Sequence, residues 1–119
     1  MKKVLIIEDD KWLAEQWMAS CQLNGFQAKV AKDGFTAIDA VDSDKPDVIV
    51  LDLFLPGPNG IAFLHELRSH ADLATIPVIV TANSDIDEIY FRPYGVDRVM
   101  DKQEMTPAGL VGALRKLAT

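Results

Sequence analysis

The chain is short of cysteine, of clustered positive charge and of long hydrophobic runs, and each shortage excludes something. Cys21 is the single cysteine among 119 residues, so an internal disulfide and a cysteine metal cage are both ruled out. Lys and Arg number 12 against 18 Asp and Glu, for a net charge of −6. No basic run could track a phosphate backbone, so a nucleic-acid surface is not expected. No apolar stretch approaches the roughly 20 residues a transmembrane helix needs. The opening MKKVLIIEDD has the charged start of a signal peptide, but its apolar part, Val4 to Ile7, is too short and runs straight into three acids. A cytoplasmic protein with no membrane contact is the expectation. Repeats, low-complexity tracts and linkers are also missing, which predicts one domain over residues 1–119.

What the chain does have is apolar residues in short continuous blocks. VLII at 4–7, VIVL at 48–51 and VIV at 78–80 are the clearest; Ala28 to Ala31 and Val96 to Met100 are weaker. Unbroken β-branched runs of this length suit strands covered on both faces, as in a parallel sheet. Helical spacing fills the gaps. Leu13, Trp17 and Cys21 recur at four-residue intervals within 10–24, with Gly25 as the stop. Asp33-Gly34 opens a segment carrying Phe35, Ile38 and Val41, and residues 60–70 carry Ile61, Leu64 and Leu67. Thr106-Pro107 supplies an N-cap and a first helical residue for a last helix through Leu110, Leu114 and Leu117. The segment 84–92 is the poorest helix, and Pro93 is expected to cut it short. Strand and helix thus alternate five times. This predicts an α/β fold: a five-stranded parallel sheet with helices on both faces, joined by right-handed crossovers.

In open α/β sheets ligands sit beyond the carboxyl ends of the strands. Glu8, Asp9 and Asp10 follow the first run, Asp52 the VIVL run, Thr81 the VIV run, and Asp101-Lys102 the last. A lone acid closing an oily strand is costly unless something pairs with it. Carboxylates gathered in one cleft repel one another unless a cation joins them. Mg²⁺ fits, because it takes oxygen ligands and is held by a few carboxylates plus a phosphate. With a hydroxyl and an ammonium added, the set makes a phosphoryl site in which an aspartate can carry the group as an acyl phosphate.

These residues carry a resemblance to the receiver domains of two-component response regulators that extends over essentially the whole chain. VLIIEDD resembles that family's first strand and acidic pair. Residues 31–37, Ala31-Lys32-Asp33-Gly34-Phe35-Thr36-Ala37, resemble its turn into the second helix. PDVIVLDLFLPGPNG resembles its phosphoacceptor segment, with Asp52, Pro56 and Gly60 in register, and Ile76 to Ala82 resemble its fourth strand. The resemblance implies a flavodoxin-like three-layer sandwich with strand order 2-1-3-4-5. It implies that Asp52 accepts the phosphoryl group, that Asp9 binds Mg²⁺ with Glu8 acting through water, and that Phe54 lends its backbone carbonyl to the metal. Thr81 then hydrogen-bonds the phosphoryl group and Lys102 pairs with it. The implied donor is a sensor histidine kinase or a phosphotransfer protein. Output is implied to be contact with a downstream protein, a homodimer being one form of it. The chemistry is limited to self-catalysed phosphoryl acceptance and slow autodephosphorylation, so no further enzyme activity is expected.

Two departures from the family pattern fall near Lys102. Val99 stands where an aromatic residue is usual, and Gln103 stands where a proline is usual. A non-proline cis bond costs about 2.5–4 kcal/mol, which favours a trans bond at Gln103. A third oddity is Arg92-Pro93-Tyr94-Gly95, on the same side. These departures keep alive a phosphorylation-independent interaction module as the alternative. His65 and His70 read as surface residues, and Asp10 as a helix cap. Trp17 reads as core and Trp12 as a candidate for the edge of the acidic cleft. Leu53-Phe54-Leu55 could be a docking patch or could tuck inward. Other chemistries lack their motifs. A phosphatase of the haloacid-dehalogenase type wants an acid at Phe54, and the P-loop pattern is absent. A flavodoxin-type phosphate loop would not carry EDD after the first strand. With helix five running out at Thr119, the chain reads as a stand-alone receiver or as a piece of a longer regulator.

Overall fold

The computed structural model describes residues 1–56, 59–83 and 86–118. Five strands, β1 (Lys3–Ile7), β2 (Gln27–Ala31), β3 (Val48–Asp52), β4 (Val78–Ala82) and β5 (Val96–Asp101), form one parallel sheet in the order β2-β1-β3-β4-β5. The expected order is therefore the observed one. Four α-helices connect or follow the strands: α1 (Lys11–Leu23), α2 (Gly34–Ser43), α3 (Gly60–Ser69) and α4 (Pro107–Leu117). Every residue of β3 and of β4 is buried, as expected for central strands with helices on both faces.

Each face of the sheet has its own core. One gathers Leu5, Ile7, Ile49, Leu51, Val78 and Val80 against Val41, Phe63, Leu64 and Leu67 of α2 and α3. The other gathers Val4, Ile6, Val48, Val50 and Ile79 against Trp17 and Cys21 of α1 and Leu110 and Leu114 of α4. The period of two along each strand sends alternate side chains to opposite layers. Local chemistry fixes the helix starts. Asp10, Asp33, Asn59 and Thr106 are N-caps whose side chains accept from the backbone N–H three residues on.

The fourth connection departs from expectation. It is a 3-10 helix over Glu88–Tyr94 with Pro93 inside it, and it closes on Gly95 at φ +68°. Pro93 therefore does not end the element at residue 92. In an α-helix interior its ring would strike the carbonyl four residues back, whereas a short run of tighter turns near its end loses only one donor. The start of the expected helix, Ser84 and Asp85, lies outside the described residues, as do Gly57 and Pro58 between β3 and α3. The 3-10 helix is anchored by Arg68 of α3. That guanidinium donates to the carbonyls of Tyr94 (2.7 Å), Ala74 (2.9 Å), Ile76 (2.9 Å) and Gly95 (2.9 Å). A Cβ on Gly95 would come within 3.2 Å of it.

Candidate functional site: an acidic cleft at the carboxyl ends of β1, β3 and β5

The ladder places the site. Ile7 pairs with Leu51 across β1 and β3, and Asp52 pairs with Thr81 across β3 and β4, so the residues that follow each strand emerge at one edge of the sheet. Glu8, Asp9 and Asp10 leave β1 there, Asp52 ends β3, and Lys102 follows β5. They line an open cleft of about 420 Å³ together with Phe54, Asn83 and Gln103.

One oxygen from each of Glu8, Asp9 and Asp52 lies within 4.8 Å of the others. Glu8 and Asp52 are 1% and 3% exposed, while Asp9 faces solvent. The Lys102 ammonium sits between the two buried acids, 2.5 Å from Glu8 Oε1 and 3.3 Å from Asp52 Oδ2. Its bond to Glu8 is a close charge contact rather than a well-angled hydrogen bond. Glu8 Oε2 accepts from the Asp10 N–H at 3.0 Å, and Asp52 Oδ1 accepts from the Phe54 N–H at 3.1 Å. Asp101, the neighbour of Lys102 in the chain, forms no ion pair with it and accepts from the Gln103 N–H at 2.9 Å.

Three acids against one ammonium leave the cleft short of positive charge. Burial pushes the Glu8 carboxyl up to about 7, against the opposing pull of Lys102. Partial burial also works to raise Asp9, but hydrogen bonds with the Glu8 and Asp52 carboxyl groups, its own N–H and the Lys102 charge together hold it below the usual range. The donors are hard carboxylate oxygens at bridging distance, and the buried Glu8 is undercompensated. Both properties fit a divalent cation such as Mg²⁺.

The remaining residues fall as follows. Thr81 is fully buried, and its hydroxyl donates to the Leu51 carbonyl at a long 3.5 Å. Phe54 borders the cleft with its side chain 62% exposed, while Leu53 and Leu55 on either side are core. The apolar triplet therefore tucks inward at two positions and presents one ring. This packing rests on Gly60, where a Cβ would come within 2.9 Å of Leu53 Cα. Trp17 is core as expected; Trp12 is 68% exposed and Leu13, not Trp12, lines the cleft. His65 and His70 are exposed, with His70 against Glu66 and His65 edge-on to Tyr94 at 4.9 Å. Val99 is half-buried against the core on the α2 and α3 face, and Tyr90 is 72% exposed. No cis peptide bond occurs among the described residues. Sequence reasoning missed the roles of Asn83 and Gln103 at the cleft, which depend on two loops meeting.

A parallel five-stranded sheet in this order, with helices on both faces, is the flavodoxin-like α/β fold, and here it carries an acidic triad and a lysine at its carboxyl edge. The comparisons with known proteins agree. Residues 4–115 match the response regulator receiver domain, and the chain belongs to that family. The response regulator MprA of Mycolicibacterium vanbaalenii is 32% identical over 116 residues, covering 97% of this chain and 48% of that protein. The MprA of Mycobacterium tuberculosis is 31% identical over the same span. The chain thus spans about half the length of these curated relatives. Among solved structures, the receiver domain of the Francisella response regulator 1452 superposes with a TM-score of 0.90 at 30% identity, covering 99% of this chain and 97% of that one. The chemotaxis protein CheY4 of Vibrio cholerae shares the fold, with a TM-score of 0.90 at 22% identity and 98% coverage of each chain. Among the described residues no helix is long and apolar enough to cross a membrane.

Proposed function

We propose that the chain is a phosphoacceptor in two-component signalling, with Asp52 as the acceptor. The observation that carries this reading is the position of Asp52: a buried carboxylate that borders an open cleft, with two further acids within 4.8 Å and an ammonium at 3.3 Å. A buried acid set beside an ammonium at a strand end, at the mouth of a cleft, has a chemical use and no packing use.

In the transfer, an Asp52 oxygen forms a bond to phosphorus as the phosphorus–nitrogen bond of a phosphohistidine breaks. The released imidazole takes up a proton. The Phe54 N–H orients the Asp52 carboxylate by holding Oδ1. Lys102, already against Oδ2, offsets charge on the transferring group. Glu8 and Asp9, with Asp52 and the backbone carbonyl of Phe54, are the residues that would hold Mg²⁺. When bound, the ion neutralises the crowded carboxylates and the phosphoryl oxygens. Thr81 reaches the phosphoryl group after leaving the weak bond to Leu51. Hydrolysis of the acyl phosphate by water returns Asp52 and inorganic phosphate, so the chain is a slow self-resetting acceptor and not an enzyme acting on a separate substrate. The phosphoryl donor is a sensor histidine kinase or a phosphotransfer protein, the setting is the cytoplasm, and the signal leaves by protein contact.

Incubation with acetyl phosphate and Mg²⁺, read by intact mass, tests the reading. The wild type is expected to gain one phosphoryl group and Asp52→Asn none. A wild type that gains no mass would favour the phosphorylation-independent interaction module instead.

A further inference from the structure

Gln103 occupies the position immediately after Lys102. Its side-chain Nε2 donates to the backbone carbonyl of Asn83 at 3.0 Å. One residue earlier on each strand, the Lys102 N–H donates to the Ala82 carbonyl at 2.7 Å. The backbone ladder between β4 and β5 therefore ends at Ala82 and Lys102, and the Gln103 amide adds one more rung from a side chain. Asn83 and Gln103 both line the cleft that holds Asp52. The rung consequently ties the segment leaving Thr81 to the segment carrying Lys102, at the mouth of the site.

We propose that Gln103 is a positioning residue for phosphoryl transfer at Asp52, acting by holding the Thr81–Asn83 segment against the Lys102 segment. This rests on the reading of Asp52 as acceptor. The two groups expected to close over a phosphoryl group, the Thr81 hydroxyl and the Lys102 ammonium, stand on the two segments the rung joins. The Thr81 hydroxyl is spent on a 3.5 Å bond to Leu51, so it must turn to serve the phosphoryl group. A segment already fixed at its far end loses less freedom when it does so. The rung itself contacts none of the Glu8, Asp9 and Asp52 carboxylates, which follow β1 or end β3, so its loss should cost beryllofluoride binding more than Mg²⁺ binding. A residue lacking the amide donor could not make the rung, and a backbone N–H at position 103 could not replace it, since that group is engaged by Asp101.

The test uses the full chain as wild type, Gln103→Met, which keeps the reach and lacks the donor, and Gln103→Glu, which sets acceptors against the Asn83 carbonyl. Three quantities are read: Mg²⁺ affinity, beryllofluoride affinity at saturating Mg²⁺, and amide exchange at Ala82, Asn83 and Lys102. Gln103→Met is expected to keep its Mg²⁺ affinity and to bind beryllofluoride roughly three- to ten-fold more weakly, the range one neutral hydrogen bond carries. Exchange at the three amides should quicken, and Gln103→Glu should weaken beryllofluoride binding at least as much. If the wild type binds beryllofluoride and Gln103→Met matches it within two-fold, the proposal falls alone. Equal losses of Mg²⁺ and beryllofluoride affinity would also overturn it, since they mark general loosening of the fold. A wild type that binds Mg²⁺ but no beryllofluoride overturns the reading of Asp52 and this proposal together.

Discussion

Two cations are drawn into this protein, Arg68 under the 3-10 helix and Lys102 in the cleft, and their seats are opposites. Arg68 faces four backbone carbonyls, and among the described residues no carboxylate forms an ion pair with it. Its planar fork is matched by neutral dipoles from two segments, residues 74–76 and 94–95, which makes it a structural rivet. Lys102 faces two buried carboxylates with a third close by, and charge there is left unbalanced. Where partners satisfy a charge completely, it holds the fold. Where they leave a deficit, the deficit is available to a ligand, and three carboxylates against one ammonium suit a divalent cation.

The sharpest way to break this comparison is at the rivet. Arg68→Ala should lower unfolding stability by about 3 kcal/mol, because it strands several carbonyls at once. Arg68→Lys should recover less than half of that, since an ammonium lacks the fork. Chemical denaturation measures both, and the surviving folded protein should still accept a phosphoryl group. A loss below about 0.5 kcal/mol would make the rivet an ordinary surface contact.

Within the cleft, Glu8→Gln should weaken Mg²⁺ binding about ten-fold, as for residues that steady a metal's ligands. The same change should raise the metal-free protein's thermal midpoint at alkaline pH, because it removes a buried charge. Titration calorimetry and thermal melts in chelator would show the opposed effects.

Acidity sharpens the contrast further. Glu8 has its folded pKa raised to about 7, so between its unfolded value and that point the folded state binds the extra proton. Its stabilising share is full below the unfolded pKa and is lost as pH rises through about 7. The metal-free protein should therefore melt lower near about pH 8 than near about pH 5 from this group. Mg²⁺ affinity should run the other way, rising as Glu8 gives up its proton. A Glu8→Gln chain should show a flatter dependence in both measurements.

The smallest effect is expected at Phe54. Its ring is largely exposed, so Phe54→Ala should change stability by less than about 0.5 kcal/mol, whereas Leu53→Ala, in the core, should cost about 2–4 kcal/mol. Equal losses at the two positions would mean that the ring packs on the cleft.

Much of this was legible in the residues themselves. Short unbroken apolar runs, helical spacing between them and capping residues at the helix starts are local signals, and they specify the alternating fold. The acids at the strand ends followed, because parallel strands with a shared crossover hand deliver their carboxyl ends to one edge. Three-dimensional proximity decided the rest. Whether Lys102 pairs with Asp101 or with Glu8 and Asp52, whether residues 88–94 coil as an α-helix or more tightly, and which carbonyls Arg68 and Gln103 find are questions of distance between segments far apart in the chain. No periodicity along the chain encodes those distances, so only the packed sheet and its loops could answer them.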